Sequence, residues 1–495
     1  MTSNTAFQDK SSKQSYVKDI LFYSVIQILD NCKGFLLIPV IAKTLGAAAY
    51  GIWIQVNIGI AFLCPLLLLG LNGGITRFLP GSKKEDMRDG VFSSLATVLG
   101  FSIVPAFSII LVQKIISGYI GSSITDANFF IPGIALLCIT EPLNNLLLEY
   151  FRSIRKIKIL VKFSVLDTIF EFAPVIYLAY NGFSIGIIIF FFACGRMVMA
   201  GIKGLSAFYG LGLGGYKMDI VIKFIKFGFP LILLNIFFYI SNYLDRYLIG
   251  YFYSAREVGI YSVAYTIGYI VIFISAPWDS VLVPTITKHW NDGNRADVRD
   301  YFNNTLKYIL IITIPVVVFL SFSGKEIIRI LTTTEFLSAS YIIPIMSVAF
   351  LIFEVGIFYR RIVLLAYAPF TTIKAFGITA AVSVISNIIL IPKFSITGAA
   401  VSLLITHGIF FAIFYKLTTK KNMDIANFDW VLILKCLLAV VPSVFFLIST
   451  NGTYKVFMGL PVVFFSYLFM LWAFKIIGKR EYMFIRIMLS QKYKV

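Results

Sequence analysis

Residues 228–265 read GFPLILLNIFFYISNYLDRYLIGYFYSAREVGIYSVAY. The stretch begins as a run long and apolar enough to cross a bilayer, yet Asn235, Tyr239, Asn242 and Arg246 recur along it at spacings of 4, 3 and 4. That spacing places them on one face of a helix, and Ser241 and Asp245 widen the same face. Polar groups in hydrocarbon are costly unless paired, so a helix facing only lipid has no use for such a stripe. The stripe is expected to face protein or a water-filled cavity, as one wall of a transport pathway.

The composition of the whole chain agrees with a membrane setting. Its 495 residues are 59% hydrophobic and 14% charged, with a mean hydropathy of +0.88; a soluble domain lies nearer half apolar and about a quarter charged. The apolar runs are continuous and about twenty residues long, which indicates an all-α polytopic membrane protein and excludes a β-barrel of alternating tens. Residues 1–16 are polar, and the first apolar run is too long for the core of a signal peptide. The net charge of +19 raises nucleic acid as a partner. Its distribution argues against that, because the basic residues sit in short connections, where they orient a membrane chain. Cys32, Cys64, Cys138, Cys194 and Cys436 all fall inside apolar runs with no metal-ligand spacing, and His289 and His407 are the only histidines. Neither a metal site nor a cofactor is expected.

Fourteen spans are expected, at 18–42, 49–74, 91–112, 128–150, 163–180, 184–206, 221–249, 257–282, 306–323, 340–360, 370–391, 396–417, 430–449 and 455–478. With both termini cytoplasmic, inner segments hold 32 Lys/Arg and outer segments 8, leaving Lys33, Arg196 and Lys435 within spans. That asymmetry supports both the orientation and the count. Trp53, Trp278, Trp430 and Trp472 lie near span ends, where an aromatic belt would put them. No connection is long enough for a catalytic domain. The expected organisation is a cytoplasmic tail at 1–16, an N-lobe at 17–206, a cytoplasmic linker at 207–220 and a C-lobe at 221–417. Two further helices at 430–478 and a basic cytoplasmic tail at 479–495 follow. Tyr50-Gly51-Ile52-Trp53 and Val258-Gly259-Ile260-Tyr261 align at an offset of 208 residues, which suggests a parallel repeat about an axis normal to the membrane.

Several short motifs, in order along the chain, resemble a known family. They are Leu45-Gly46 with Tyr50-Gly51-Ile52-Trp53, Leu69-Gly70-Leu71 with Arg77-Phe78, and Asp245-Arg246 with Ile249-Gly250. Val258-Gly259-Ile260-Tyr261 with Ala264-Tyr265 comes next, then Asn387, Ile391-Pro392 and Gly398-Ala399-Ala400. The set is similar to the bacterial polysaccharide flippases, the O-antigen and exopolysaccharide transporters of the multidrug/oligosaccharidyl-lipid/polysaccharide exporter superfamily. The resemblance implies two six-helix lobes in a V-shaped, MATE-like arrangement, with a cavity lined chiefly by spans 1, 2, 7 and 8. It implies a polyprenyl-pyrophosphate-linked oligosaccharide moved between leaflets of the bacterial cytoplasmic (inner) membrane. Membrane lipids, and a polymerase and chain-length regulator of the same pathway, are its implied partners.

Such a substrate needs fixed cations for phosphate, and amide, hydroxyl and aromatic groups for sugar. Lys33 is a candidate anion contact, the alternative being an internal pair with Asp30. Arg77 is a candidate for the pyrophosphate at the entrance, or an ordinary positive-inside anchor. Arg246 is a third candidate, or the partner of Asp245 in a structural salt bridge. Gln27, Asn31, Asn235, Tyr239 and Asn242 suit sugar hydrogen bonding, and equally suit contacts between helices. Asp167 and Glu171, four apart, together with Glu141 and Glu354, are candidates for coupling transport to H+ or Na+. Pairing with Arg196 or Lys162 is the alternative for Asp167 and Glu171. Gly324-Lys325-Glu326 lacks the rest of a phosphate-loop pattern, so ATP hydrolysis by this chain is not expected. Three competing functions remain: an ion-coupled multidrug or small-molecule exporter of the same fold, a peptidoglycan lipid II flippase, and a membrane glycan polymerase or ligase. The last would need a sizeable outer loop.

Overall fold

The computed structural model describes residues 3–111, 127–420, 430–450 and 452–476, with side chains from Gly34 onward except at 127, 276, 277, 279–281 and 430. Among these residues every regular element is helical, and fifteen are α-helices. Helix α1 (Ser3–Leu67) is broken at Gly46, whose φ of +81° only glycine adopts freely, so it holds the first expected span and most of the second. Leu69 and Gly70, both at positive φ, turn the chain into α2 (Leu71–Phe78). Helices α3 (Lys84–Leu111) and α4 (Ala127–Ser153) follow.

The fifth expected span is made of three pieces: α5 (Ile157–Asp167), a π-helical turn (Thr168–Phe172) and α6 (Ala173–Tyr180). Pro174 has no N–H to donate to Phe170, four residues back, and the ladder widens just before it. Gly195 of α7 (Ile185–Leu211) packs directly on the Phe170 carbonyl, leaving no room for a side chain there. Helix α8 (Met218–Phe252) carries the polar stripe. The eighth expected span is divided between α9 (Ala255–Gly268) and α10 (Ile270–Asn291).

Helix α11 (Arg295–Leu331) leads through a 3-10 segment (Thr334–Tyr341) into α12 (Ile343–Ala366). Helix α13 (Pro369–Thr419) contains two expected spans, separated by a break at Ser395. Helices α14 (Trp430–Ser449) and α15 (Tyr454–Ala473) complete the described chain. Among the described residues ten helices are long and apolar enough to cross a membrane, or eleven with the 3-10 segment and α12 taken as one bent span. That number is below fourteen because α1 and α13 each run through two expected spans, while the fifth is cut into pieces too short to qualify. The protein is an all-helical, multi-pass membrane protein.

The chain divides into two compact units, residues 1–262 with 376–396, and 263–375 with 397–495. The first is centred on Leu71 and Ile75 of α2, Leu146 and Tyr150 of α4, Met199 of α7 and Phe224 of α8, all buried. Trp53 belongs to this packing. It is buried edge-on against Phe192, with ring centroids 5.0 Å apart. In the second unit Phe350 and Phe353 pack on His407, with Phe410 against Phe353, and the His407 Nδ1 lies 3.0 Å from the Ala349 carbonyl.

Candidate functional site

The α8 stripe divides when it is seen in three dimensions. Asn242, Asp245 and Arg246 are buried in helix packing. The Arg246 guanidinium lies 2.8 Å from the Asp245 carboxylate and donates to the Asn242 carbonyl at 2.9 Å. The Tyr261 hydroxyl of α9 donates to the second Asp245 oxygen. Ser383 of α13 donates to the Ile240 and Ser241 carbonyls, both at 3.4 Å, and accepts from Asn387. Asn235 is exposed and Tyr239 half-buried. The stripe thus supplies a buried ionic lock at Asp245 and Arg246 and a half-buried tyrosine, Tyr239, two turns earlier on the helix.

Tyr239 is one of three tyrosines at helical spacing, with Tyr243 and Tyr247. The Tyr239 and Tyr243 rings lie 5.4 Å apart, and the Tyr247 hydroxyl donates to the Gln55 carbonyl of α1 at 2.8 Å. With Ile58 and Phe62 of α1 and Ile240 and Leu244 of α8 they line a cavity of about 220 Å³. Tyrosines at 243 and 247 escape a search for polar periodicity because the ring reads as apolar. The usable signal is the 4-residue recurrence of the same residue type.

A second assembly joins α4, the α5–π segment and α7. Arg196 of α7 pairs with Glu141 at 3.0 Å and Glu171 at 3.3 Å. Lys203, one helical repeat further on, is fully buried, 2.8 Å from Asp167 and 2.9 Å from the Asn144 side-chain oxygen. Asn144 in turn donates to the Arg196 carbonyl at 2.9 Å. Glu141 also accepts from Asn145, which reaches the Cys64 sulfur of α1 at 3.4 Å. Three carboxylates therefore share two cations, an arrangement that holds charge inside a membrane helix bundle only because each group has a partner.

Position in the sequence groups Lys203 with the inner-segment basic residues. Its seven-residue spacing from Arg196 puts the two cations on one face of α7, and that is the usable signal that it lies inside the network. Arg77 is exposed at the end of α2, next to Thr76, which donates to Glu149 at 3.2 Å, and apart from the network. Glu354 is buried in α12, in the second unit. The side chains of Gln27, Asn31 and Lys33 lie outside the described residues. No cluster of three or more His, Cys, Asp or Glu side chains able to hold a metal ion occurs among the described residues.

Glycines set how closely α8 and α9 approach α1 and α2. A side chain at Gly51 would strike the Ala255 carbonyl, and one at Gly259 the Ala47 carbonyl. At the other end of α8, Gly228 and Gly70 meet backbone to backbone. The chain after α7 is strapped along α3. Asp89 accepts from the Gly215 amide at 3.1 Å and pairs with Lys217 at 2.6 Å, while Ser93 accepts from the Lys217 amide at 2.8 Å. Lys217 lies outside the spans, and the Asp89 carboxylate holds its ammonium above the ordinary lysine range.

Comparison with known proteins bears on this arrangement. A family model described as "Polysaccharide biosynthesis protein" matches residues 40–341. A probable low-salt glycan biosynthesis flippase of Haloferax volcanii is 22% identical over 375 residues, covering 74% of this chain and 76% of its own. Among solved structures, the lipid II flippase MurJ in an inward closed conformation superposes with a TM-score of 0.72 at 19% identity, over 92% of this chain and 98% of that one. An inward-facing multidrug resistance MATE family transporter gives 0.64 at 12% identity, over 80% and 96%. The fold is of the MurJ and MATE type.

Proposed function

From a chain that belongs to the polysaccharide biosynthesis protein family, we propose a transporter, not an enzyme: a flippase that moves a polyprenyl-pyrophosphate-linked oligosaccharide from the inner to the outer leaflet by alternating access. The observation that carries this reading is the cavity between α1 and α8, with Tyr239, Tyr243 and Tyr247 in its wall, inside a membrane-spanning fold. A pyrophosphate and a polar glycan do not cross about 30 Å of hydrocarbon unaided. Tyrosine and phenylalanine rings between the two helices supply a protein-lined surface on that path.

In this reading Arg77, exposed among basic residues, meets the pyrophosphate at the cytoplasmic entrance. Asn235 and Tyr239, with Lys33, Gln27 and Asn31 on α1, meet the head group further in. Arg246 and Asn242 hold α8 against α9 and α13 and shape the wall from behind, as their buried partners suggest. Glu141, Asp167 and Glu171 are the coupling carboxylates for H+ or Na+, with Glu354 a separate candidate in the second unit. The proposed location is the cytoplasmic (inner) membrane of a bacterium, with both termini inside and with the polymerase and chain-length regulator of the pathway as partners. The Haloferax relative is archaeal, which favours a general surface-glycan repeat over O-antigen in particular.

The test is translocation of a fluorescent polyprenyl-pyrophosphate oligosaccharide in proteoliposomes, native protein against Arg77→Ala. Flipping by the native protein, reduced in the variant at unchanged insertion, is the expected result. Export of cationic dyes without movement of any lipid-linked glycan would replace the flippase with an exporter.

A further inference from the structure

We infer that the coupling ion is a proton and not a sodium ion, and that Glu171 is the group that binds it. The inference rests on the reading of Glu141, Asp167 and Glu171 as the coupling carboxylates, and adds to it the ion and its bearer. The distances sort the three into two that are served and one left over. Asp167 has its own cation, the Lys203 ammonium at 2.8 Å. Glu141 holds the Arg196 guanidinium at 3.0 Å and also accepts from the Asn145 side chain at 3.0 Å. The one ion pair of Glu171 among the described residues is with the Arg196 Nε at 3.3 Å, on the guanidinium that Glu141 already occupies. Its Oε1 accepts no hydrogen bond among those residues.

Glu171 is also the most buried of the three: its side chain is 3% exposed, against 12% for Asp167 and 20% for Glu141. The charged groups that act on it are Arg196 and Lys203 of α7, Asp167 of α5 and Glu141 of α4. On α1 the one charged side chain described, Lys43, is exposed. Three carboxylates against two cations leave one negative charge inside a membrane helix bundle, where an unbalanced charge is costly. One proton on Glu171 brings that count to zero. The backbone fixes the carboxylate for this task. Glu171 lies in the π-helical turn, a feature that recurs at functional sites. Gly195 presses on the carbonyl of Phe170, the residue before Glu171, and Arg196 follows Gly195, so the close approach of the two backbones sets Arg196 beside Glu171.

The same distances argue against sodium. A hard metal cation needs a shell of several oxygens, clear of fixed positive charge. The group set against the Glu171 Oε1 is a guanidinium nitrogen 3.3 Å away, which repels a metal ion and supplies it no ligand. Lys203 covers the Asp167 oxygen in the same way, and Arg196 and Asn145 cover the two oxygens of Glu141. A proton needs one oxygen and no shell. It arrives from water as H+, converts the Glu171 carboxylate to the carboxylic acid and leaves again as H+, with nothing else consumed. Neutralising Glu171 removes the ion pair between the π-turn and α7 and leaves Arg196 to Glu141 of α4. Proton binding thereby alters the helix packing of the first unit.

The test reads protonation directly, in full-length protein in nanodiscs with no glycan substrate present. Infrared difference spectra are taken across a jump from alkaline to acid buffer, with and without Na+. The native spectrum is expected to contain a carbonyl-stretch component of a water-excluded carboxylic acid, which Na+ leaves unchanged. Glu171→Gln, which fills the same space with a neutral group, should lose that component, and Glu354→Gln, in the second unit, should keep it. A native spectrum without the component, or one that Glu171→Gln leaves intact, overturns the assignment. So does its suppression by Na+, which is read on native protein alone and decides even where a variant fails to insert. A second arm follows the fluorescent polyprenyl-pyrophosphate oligosaccharide in proteoliposomes. Native flipping should rise several-fold under a proton gradient but not under a sodium gradient, and Glu171→Gln should no longer respond. Flipping that answers to Na+, or to neither ion, overturns the proton coupling and leaves the flippase. The infrared component without any movement of the lipid-linked glycan removes the flippase reading and leaves Glu171 as a proton site.

Discussion

Replacing Lys203 by methionine tests whether the α4–α5–α7 network holds the first unit together. The Lys203 side chain is fully buried, and its ammonium lies 2.8 Å from Asp167 and 2.9 Å from Asn144. At that separation the pair attracts by about 6 kcal/mol at an effective dielectric of ~20, most of it offset by the cost of taking both ions out of water. Methionine fills the space but leaves a carboxylate and an amide oxygen without a donor. It also raises the imbalance of the network to three carboxylates against Arg196 alone. Orphaning one partner of a buried pair costs roughly 3–5 kcal/mol. The lower edge of that range applies, because the unfolded reference in micelles keeps the helices in an apolar setting where polar groups find other partners. We expect a loss of about 3 kcal/mol in equilibrium unfolding with mixed SDS and dodecylmaltoside micelles, followed by circular dichroism. Adding Asp167→Asn restores a neutral donor beside Asn144 and should recover all but about 1 kcal/mol. A single variant within about 1 kcal/mol of native, or a double variant whose losses simply add, would refute the structural pairing.

Gly259→Val should cost on the order of 1–3 kcal/mol in the same assay, because its side chain would overlap the Ala47 carbonyl. Gly408→Ala, where an added methyl meets nothing within 4 Å, should be neutral or slightly stabilising. Asp89→Ala removes the acceptor of the Gly215 amide and the partner of Lys217, so limited proteolysis across 212–217 should become several-fold faster at unchanged insertion. The pH dependence of that strap follows from the sign of the Lys217 shift. A lysine raised above its ordinary 10.5 lends its stability in full below that value and loses it only as the pH climbs past the raised one. Proteolysis of the strap in native protein should accordingly stay flat from about pH 7 to about pH 9, and a rise within that window would count against the pair.

The helical fold was legible because hydrophobic run length and helical period are local properties. What the sequence left open was which side of α8 each polar residue would serve. Asn242 and Arg246 share a face with Tyr239 by spacing alone, yet Asp245, Tyr261 and Ser383 draw their surroundings into helix packing, and only tertiary contact reveals that. Lys203 was hidden by its place near a span end, where a lysine normally reaches water along its own stem. Here Asp167 and Asn144 meet it in the interior instead. The π-turn before Pro174 depended on Gly195 from another helix, which no local pattern encodes.

The internal repeat gains a physical meaning from the glycine contacts. At an offset of 208, Ala47 aligns with Ala255 and Gly51 with Gly259, and these four residues are the ones that touch. Each glycine lies under the alanine carbonyl of the other copy. The contact is therefore reciprocal, as a two-fold relation between the hairpins requires. The Gly70–Gly228 contact at the opposite end of α8 has no such partner, since the same offset carries Gly70 to Trp278 and Gly228 to Ile20. Small-residue contacts in a membrane are held by close packing rather than by expulsion of water, so parting them exposes little that lipid or a polar substrate cannot cover. A substrate path along α1 and α8 would then be bounded by two separable seals, one symmetric and one not. The tyrosine cavity lies along α8 between them, at Tyr239 to Tyr247. Alanine at Gly259 should therefore part the symmetric contact and lower stability, whereas alanine at Gly408, whose added methyl meets nothing within 4 Å, should not.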